Sequence, residues 1–388
     1  MHQILKVKEL FTPMESISDA IIAWDESGII MYAGARENAP DLKGEVLDLI
    51  ELTALPGLID IHVHGGWGVE FGTGDLLAGL QTYSENVTTS GVTGFLLTVS
   101  GPTHNAIVKM ISEYVPLLER TFPGAVPLGF HLEGPFLNPE QHGAFNPNWL
   151  HNPSIKEVRD YIDAAQGWLR QVSLAPELEN AFETAAYLRE HDIRASLAHT
   201  SAGYETAAKA LAGDFTHVTH TFNAQSSFHH RNPGVVGAIL ASDNVSAELI
   251  ADTVHVHPGA MKVLVRCLGS ERIVLITDAM PGAGMADGEY TLVGQQVKVK
   301  KGKAYLQDGT IAGSVATLDK CMHNMVKTDG VLPLEAARMV SLNPATVINM
   351  EDTLGIVAVG RNADITLIDR DMKVCYVFVC GQQKYPCK

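Results

Sequence analysis

The chain has 388 residues, is 46% hydrophobic and carries a formal net charge of −16. That supplies apolar material for one large core, or for a large and a small one. The charge argues against a polyanionic nucleic acid or an anionic membrane surface as partner, but not against a small anion held by a few local cations.

The opening, MHQILKVKELF, shows no long apolar region followed by a small-residue cleavage site. The apolar run GVVGAILA is far too short to span a bilayer. Cys267, Cys321, Cys375, Cys380 and Cys387 are scattered without a paired pattern and read as reduced thiols. A cytoplasmic protein is expected.

Residues 1–52 alternate like short strands, and AIIAWDESGIIMYAG reads as a hairpin turning at Asp25 to Gly28. Residues 53–352 change rhythm. The runs GLIDIHVHG, GFLLTVS, VPLGFHLEG, QVSLAPE, IRASLAHT, HVTHTFN, SAELIAD and RIVLITDAM alternate with helical stretches such as DLLAGLQTYSENVTTSG and AFETAAYLREHD. Eight apolar strands alternating with helices predict an α/β fold whose parallel sheet closes into a (β/α)8 barrel of the TIM type. Turn signals at Asp287-Gly288, Lys301-Gly302 and Asp308-Gly309 predict a β insertion over about residues 287–313. Residues 353–388 return to short β runs and are expected to pair with residues 1–52 in a small second domain.

Nearly every barrel run ends in a metal-ligand type. His62 and His64 close the first, Glu133 the third, His199 the fifth, His220 the sixth and Asp278 the eighth. Barrel strands converge at their C-terminal ends, so these side chains are expected to share one spot. Period-two geometry turns His62 and His64 to the axis and Val63 to the helices. A single such histidine is more often a hydrogen-bonded core residue; six donors at strand ends are not. Imidazole and carboxylate donors suit zinc first, and also iron, manganese, cobalt or nickel. Six donors can hold one or two divalent ions, the two lying about 3.5–4 Å apart if a carboxylate, here Glu133, bridges them. Such an ion lowers the pKa of bound water from 15.7 to about 7. Asp278 is then the expected general base and, in turn, general acid.

Beyond this chemistry, PGLIDIHVHGG, HLEGPFLNPEQHGAFNPN, LAHTSA, VTHTFNAQSSFHHRNPG, LIADTVHVHP, ITDAMPGAG and TIAGS follow one another in an order that resembles the N-acetylglucosamine-6-phosphate deacetylases of the amidohydrolase superfamily. The resemblance covers essentially the whole chain. It implies a barrel with a small β-sandwich domain built from both chain ends. It also implies hydrolysis of the acetamide of an N-acetylhexosamine 6-phosphate, and a homodimer with the site near the interface. Residue by residue, it implies a shared metal site at Glu133, His199 and His220, a second one at His62 and His64 that some relatives lack, and Asp278 as acid/base. It implies substrate contacts from Ala144, Asn223, Ala224 and His255, and a covering loop at Ile311, Ala312 and Gly313. Arg231 is implied to hold the phosphate, reaching the partner's site. On chemistry alone, Arg231 is as readily a surface ion pair, and His257, before Pro258, as readily structural.

Two positions depart from the family pattern. Phe145 stands where a histidine is usual after Gly143-Ala144, and Gln225 stands where FNAM is usual. The phenyl ring donates no hydrogen bond, although His142 is near in sequence, so the gluco and galacto sugars both stay open. Two other readings stay open as well. One is an amidohydrolase acting on another N-acyl compound or a cyclic amide, or a deaminase. The other is a scaffold protein that has lost its chemistry.

Overall fold

The structure is a computed structural model that describes residues 2–386; Cys387 lies outside them. All eight expected runs form strands: Leu58–Asp60, Val92–Val99, Val126–Glu133, Leu169–Leu174, Arg194–Leu197, Phe215–Val218, Ser246–Ile250 and Ile273–Ile276. They pair in parallel, each with its neighbour in this order. Helices cover the outside, so both faces are buried and the strands read as continuous apolar runs. Every residue of Val92–Val99, for instance, is buried.

The first and eighth strands meet just beyond their ends. The Asp278 N–H donates to the His62 carbonyl at 2.9 Å, and the His64 N–H donates to the Ala279 carbonyl at 2.9 Å. The barrel therefore closes through the backbone of three expected metal donors.

The surrounding helices follow from sequence. Leu76–Val87 starts at Asp75, whose carboxylate accepts the Ala78 N–H at 3.0 Å. His104–Leu118 starts at Thr103 and buries Ile107, Ile111, Tyr114, Val115 and Leu118, a stripe at helical spacing.

Both chain ends join one seven-stranded sheet. Its order is Gln382–Tyr385, Val374–Val379, Ile365–Ile368, Gly44–Pro56, His2–Phe11, Ser16–Trp24 and Ile30–Ala35. Leu5, Val7, Ile22, Trp24, Leu367 and Phe378 pack together on it. Trp24 Nε1 donates to the Gly381 carbonyl at 3.0 Å and so ties the two termini.

After the eighth strand, Gly288–Leu292, Gln295–Lys300 and Lys303–Tyr305 form a three-stranded antiparallel insertion. Its inner side buries Leu292, Val297, Val299, Ala304 and Ala312 against Met280. Cys267, Cys321, Cys375 and Cys380 are free. No helix among the described residues is long and apolar enough to cross a membrane.

Candidate metal centre and substrate cavity

The six donors converge in two groups, Glu133 with His199 and His220, and His62 with His64 and Asp278. Glu133 joins them. Its Oε1 lies 3.0 Å from His220 Nε2 and 3.4 Å from His199 Nε2. Its Oε2 lies 3.0 Å from His64 Nε2 and 3.2 Å from His62 Nε2. Asp278 Oδ1 completes the second group, 3.3 Å from His64 Nε2 and 3.5 Å from His62 Nε2. A tetrahedral ion with bonds of about 2.0–2.1 Å to nitrogen sets its ligand atoms about 3.3–3.4 Å apart. These separations and this donor chemistry fit divalent ions in both groups.

Local backbone conformation aims the donors. His199, His220 and Asp278 each follow a strand end and adopt positive φ, at 42°, 28° and 49°. Non-glycine residues rarely hold this conformation, and it clusters at functional sites. Gly143, at φ 57°, lets the loop after Glu133 pass over the His199 ring, where a Cβ would come within 3.0 Å of Cε1. In the same loop the Gln141 carbonyl accepts from His199 Nδ1 at 2.5 Å.

The electrostatics suit a cation. Burial opposes charge on His62, but Glu133, Glu248 and Asp278 hold its pKa well above the usual histidine value. His64 is likewise opposed by burial, yet Asp278 and Glu133 raise it to about 9. The carboxylate field that pulls protons onto these rings also attracts a divalent ion. Burial raises the Asp278 carboxyl, but His62 and His64 outweigh it and leave it below the usual aspartate range. His131, on the same strand as Glu133, behaves oppositely. Burial, aided by His62, pushes it down to about 3, and it is a neutral core residue between Thr98 and Ser173.

Above the donors lies a cavity of about 450 Å³. Ala144, Asn223, Ala224, His255, Ile311 and Gly313 line it together with His64, Glu133, His199, His220 and Asp278. His255 is oriented by Asp252, whose Oδ2 lies 2.8 Å from His255 Nδ1. Two expected contacts lie elsewhere. Ala312 is fully buried in the insertion's core, because alternation along the segment turns it away from the cavity while Ile311 and Gly313 face it. Arg231 is exposed on the loop after His220, beside His230 Nε2 at 2.8 Å, and does not line the cavity of its own chain.

Sequence reasoning missed several residues. Glu140, Gln141, Asp308 and Thr310 line the cavity. Glu248 is fully buried directly behind His62, with Oε2 2.9 Å from Nδ1. Its one signal was a carboxylate in the middle of the apolar run SAELIAD. Both departures from the family pattern have structural accounts. Phe145 is buried with Leu137, Leu150 and Ala198, its ring 5.4 Å from that of His199 and 6.4 Å from that of His64. Gln225 is buried too, accepting from the Phe222 N–H at 3.0 Å and donating to the Thr219 carbonyl at 3.2 Å. It holds the turn that presents Asn223 and does not face the cavity. His257 is structural, since its Nδ1 accepts the Gly259 N–H at the start of a helix.

Comparison with known proteins agrees with this geometry. The amidohydrolase family model matches residues 53–384. The chain is 34% identical to the N-acetylglucosamine-6-phosphate deacetylase of Bacillus subtilis (strain 168), over 98% of this chain and 97% of that one. It is 38% identical to the N-acetylgalactosamine-6-phosphate deacetylase of Escherichia coli O157:H7, over 84% of this chain and 86% of that one. A mutant N-acetyl-D-glucosamine-6-phosphate deacetylase from Mycobacterium smegmatis, solved in complex with N-acetyl-D-glucosamine-6-phosphate, superposes with a TM-score of 0.91, at 29% identity and 99% coverage of both chains. With its ligand-bearing strand ends, its barrel and this extent of similarity, the chain belongs to the amidohydrolase family, within the group of N-acetylhexosamine-6-phosphate deacetylases.

Proposed function

We propose that the chain hydrolyses the acetamide of an N-acetylhexosamine 6-phosphate to acetate and the amino sugar phosphate. The observation that carries this reading is Glu133, with one oxygen turned to each histidine group at the floor of a sugar-sized cavity. Glu133, His199 and His220 would hold one divalent ion, and His62, His64 and Asp278, with Glu133 between, a second; zinc is the first candidate. When bound, such an ion polarises a carbonyl and makes water acidic enough to attack near neutral pH.

The chain's own groups do the rest. Asp278 is the donor whose side chain opens furthest to the cavity, 14% exposed against 8% or less for the other five. It is held ionised by His62 and His64, so Oδ1 or Oδ2 can take a proton from the attacking water and return it to the departing amine. Asn223 and His255 offer polar contacts to the sugar, and Ile311 and Gly313 cover it from the insertion. Phe145 makes an apolar wall against His64 and His199. This wall suits an acetyl methyl group better than a charged one.

A dianionic phosphate needs a cation, and no lysine or arginine is among the described residues lining the cavity. We therefore assign Arg231 to the phosphate of a second copy's substrate, in a homodimer. A planar fork of donors on an exposed loop, in a chain of charge −16, suits that task. Both sugar epimers remain within the proposal, as does a cytoplasmic setting. A cyclic-amide reading lacks the lysine that commonly bridges such sites, and a scaffold reading leaves six converging donors without a use.

Purified protein stripped with a chelator should release no acetate from N-acetylglucosamine 6-phosphate or its galacto epimer. Stepwise return of zinc should restore release. Turnover that survives stripping, or never returns with any divalent ion, rejects the assignment.

A further inference from the structure

Glu248 is fully buried on the seventh barrel strand, yet it belongs to neither group of donors. Four donors surround its carboxylate. Oε2 accepts from His62 Nδ1 at 2.9 Å and from the His220 backbone N–H at 3.0 Å. Oε1 accepts from Gln171 Nε2 at 3.0 Å and from His217 Nε2 at 3.2 Å. A carboxylate has about four lone-pair sites, so this one is saturated. One oxygen thus touches a residue from each donor group, the ring of His62 and the backbone of His220.

The contact with His62 has a consequence for its tautomer. With Nδ1–H bound to an acceptor-only carboxylate, Nε2, the atom that faces Glu133 and Asp278, is the nitrogen left to exchange its proton for an ion. Among the described residues no other ligand ring has a carboxylate on its Nδ1. His199 Nδ1 donates to the Gln141 carbonyl, which sets the same tautomer without a charge, and His220 Nδ1 is buried with no partner among the described residues.

We propose that Glu248 is the positioning residue that makes His62, His64 and Asp278 a competent second ion site, so that this carboxylate under the barrel seam decides whether the enzyme carries two ions or one. The inference deepens the dinuclear reading above and rests on it. The geometry supports a selective effect. His62 turns about its Cα–Cβ and Cβ–Cγ bonds, so losing the acceptor frees its ring. The Glu133, His199 and His220 group keeps its ring contacts and loses only one backbone bond.

The test measures ion affinity in the full chain, with Zn²⁺ alone as probe, by chelator competition and elemental analysis. Wild type should bind two ions per chain. In Glu248→Gln the amide must oppose its own N–H groups to either Gln171 and His217 or His62 and His220. The second ion should then bind about 10–100-fold more weakly, with the first little changed. In a His62→Ala background the same change should add nothing further, the non-additivity expected of two residues acting through one site. Glu248→Asp keeps the charge but retracts it, and should weaken the second ion to an intermediate degree; it also serves if the amide variant does not fold. A merely structural role predicts a lower melting temperature with both ions weakened in parallel. That result, unchanged affinities, or a wild type that binds one ion only, would overturn the proposal. Failure of acetate release would count against the proposed reaction and leave these ion affinities to decide the role of Glu248.

Discussion

Asp278 Oδ1 stands 3.3 Å from His64 Nε2, at the seam where the first and eighth barrel strands close on each other. In the proposed reaction this contact joins the group that would move protons to one that would hold an ion. Asp278→Asn keeps the shape and one donor oxygen but cannot take a proton. Its kcat should fall by about 10²–10⁴-fold, the usual worth of a general acid/base. The ion held by Glu133, His199 and His220 should stay, as elemental analysis would show. Near wild-type turnover in this variant would remove Asp278 from the proton path.

Glu133 is the one donor whose two oxygens face different donor groups, so its loss should differ in kind from the loss of any histidine. Glu133→Ala leaves only His199 and His220 in the first group, below the three protein donors of a typical zinc site, and takes a neighbour from the second, so both ions should bind more weakly; His62→Ala should weaken the second ion alone. Two ions retained in the Glu133 variant would show that it does not bridge.

Arg231 lies outside its own chain's cavity, which allows a test by mixing subunits. Arg231→Ala alone should cost about 10–100-fold in kcat/KM on the phosphorylated sugar, as for a lost hydrogen bond to a charged group of about 1.5–3 kcal/mol. It should change turnover of the unphosphorylated sugar little. When Arg231→Ala and Asp278→Asn chains are unfolded together and refolded, half of the symmetric dimers should be mixed, each with one intact site. About a quarter of wild-type activity should then return. No recovery, with mixed dimers verified, would place Arg231 in its own subunit's site or in none.

Asp364 offers a pH test far from the chemistry. Burial pushes its carboxyl up to about 6, against the Cys380 N–H that it accepts at 2.7 Å. The unfolded chain releases this proton near pH 3.9 and the folded chain near 6, so between them the folded state binds more protons. Stability from this group is therefore complete below about pH 4 and is lost as pH rises through 6. Asp364→Asn stays neutral and keeps the acceptor. Its melting temperature should exceed that of wild type at pH 7.5, by a margin that shrinks at pH 4.5. An equal margin at both values would contradict the burial argument.

Much of this site was legible because chemistry and periodicity coincided. His62 and His64 stand two apart at the end of an apolar run, and such spacing has one geometric meaning in a barrel strand. The resemblance took Ile311, Ala312 and Gly313 together as a covering loop, but alternation along the segment turns only Ile311 and Gly313 to the cavity. Glu248 was not legible, because its role depends on which side of the His62 ring faces it. That is a fact about two strands six apart in chain order and brought near each other only by barrel closure. Gln225 drew suspicion as a departure in a motif, whereas its amide is used up on the Phe222 N–H and the Thr219 carbonyl. Arg231 shows a further limit: the motif that singles it out says nothing of its distance from the cavity, which it does not line in its own chain.

Deacetylation of an N-acetylhexosamine 6-phosphate is tested by kcat/KM for acetate release from N-acetylglucosamine 6-phosphate and N-acetylgalactosamine 6-phosphate, each with and without its phosphate. Efficient turnover of at least one phosphorylated epimer is expected, falling by about 10-fold or more when the charge-assisted bonds to phosphate are lost. No acetate from either epimer, with both ion sites filled, would contradict it.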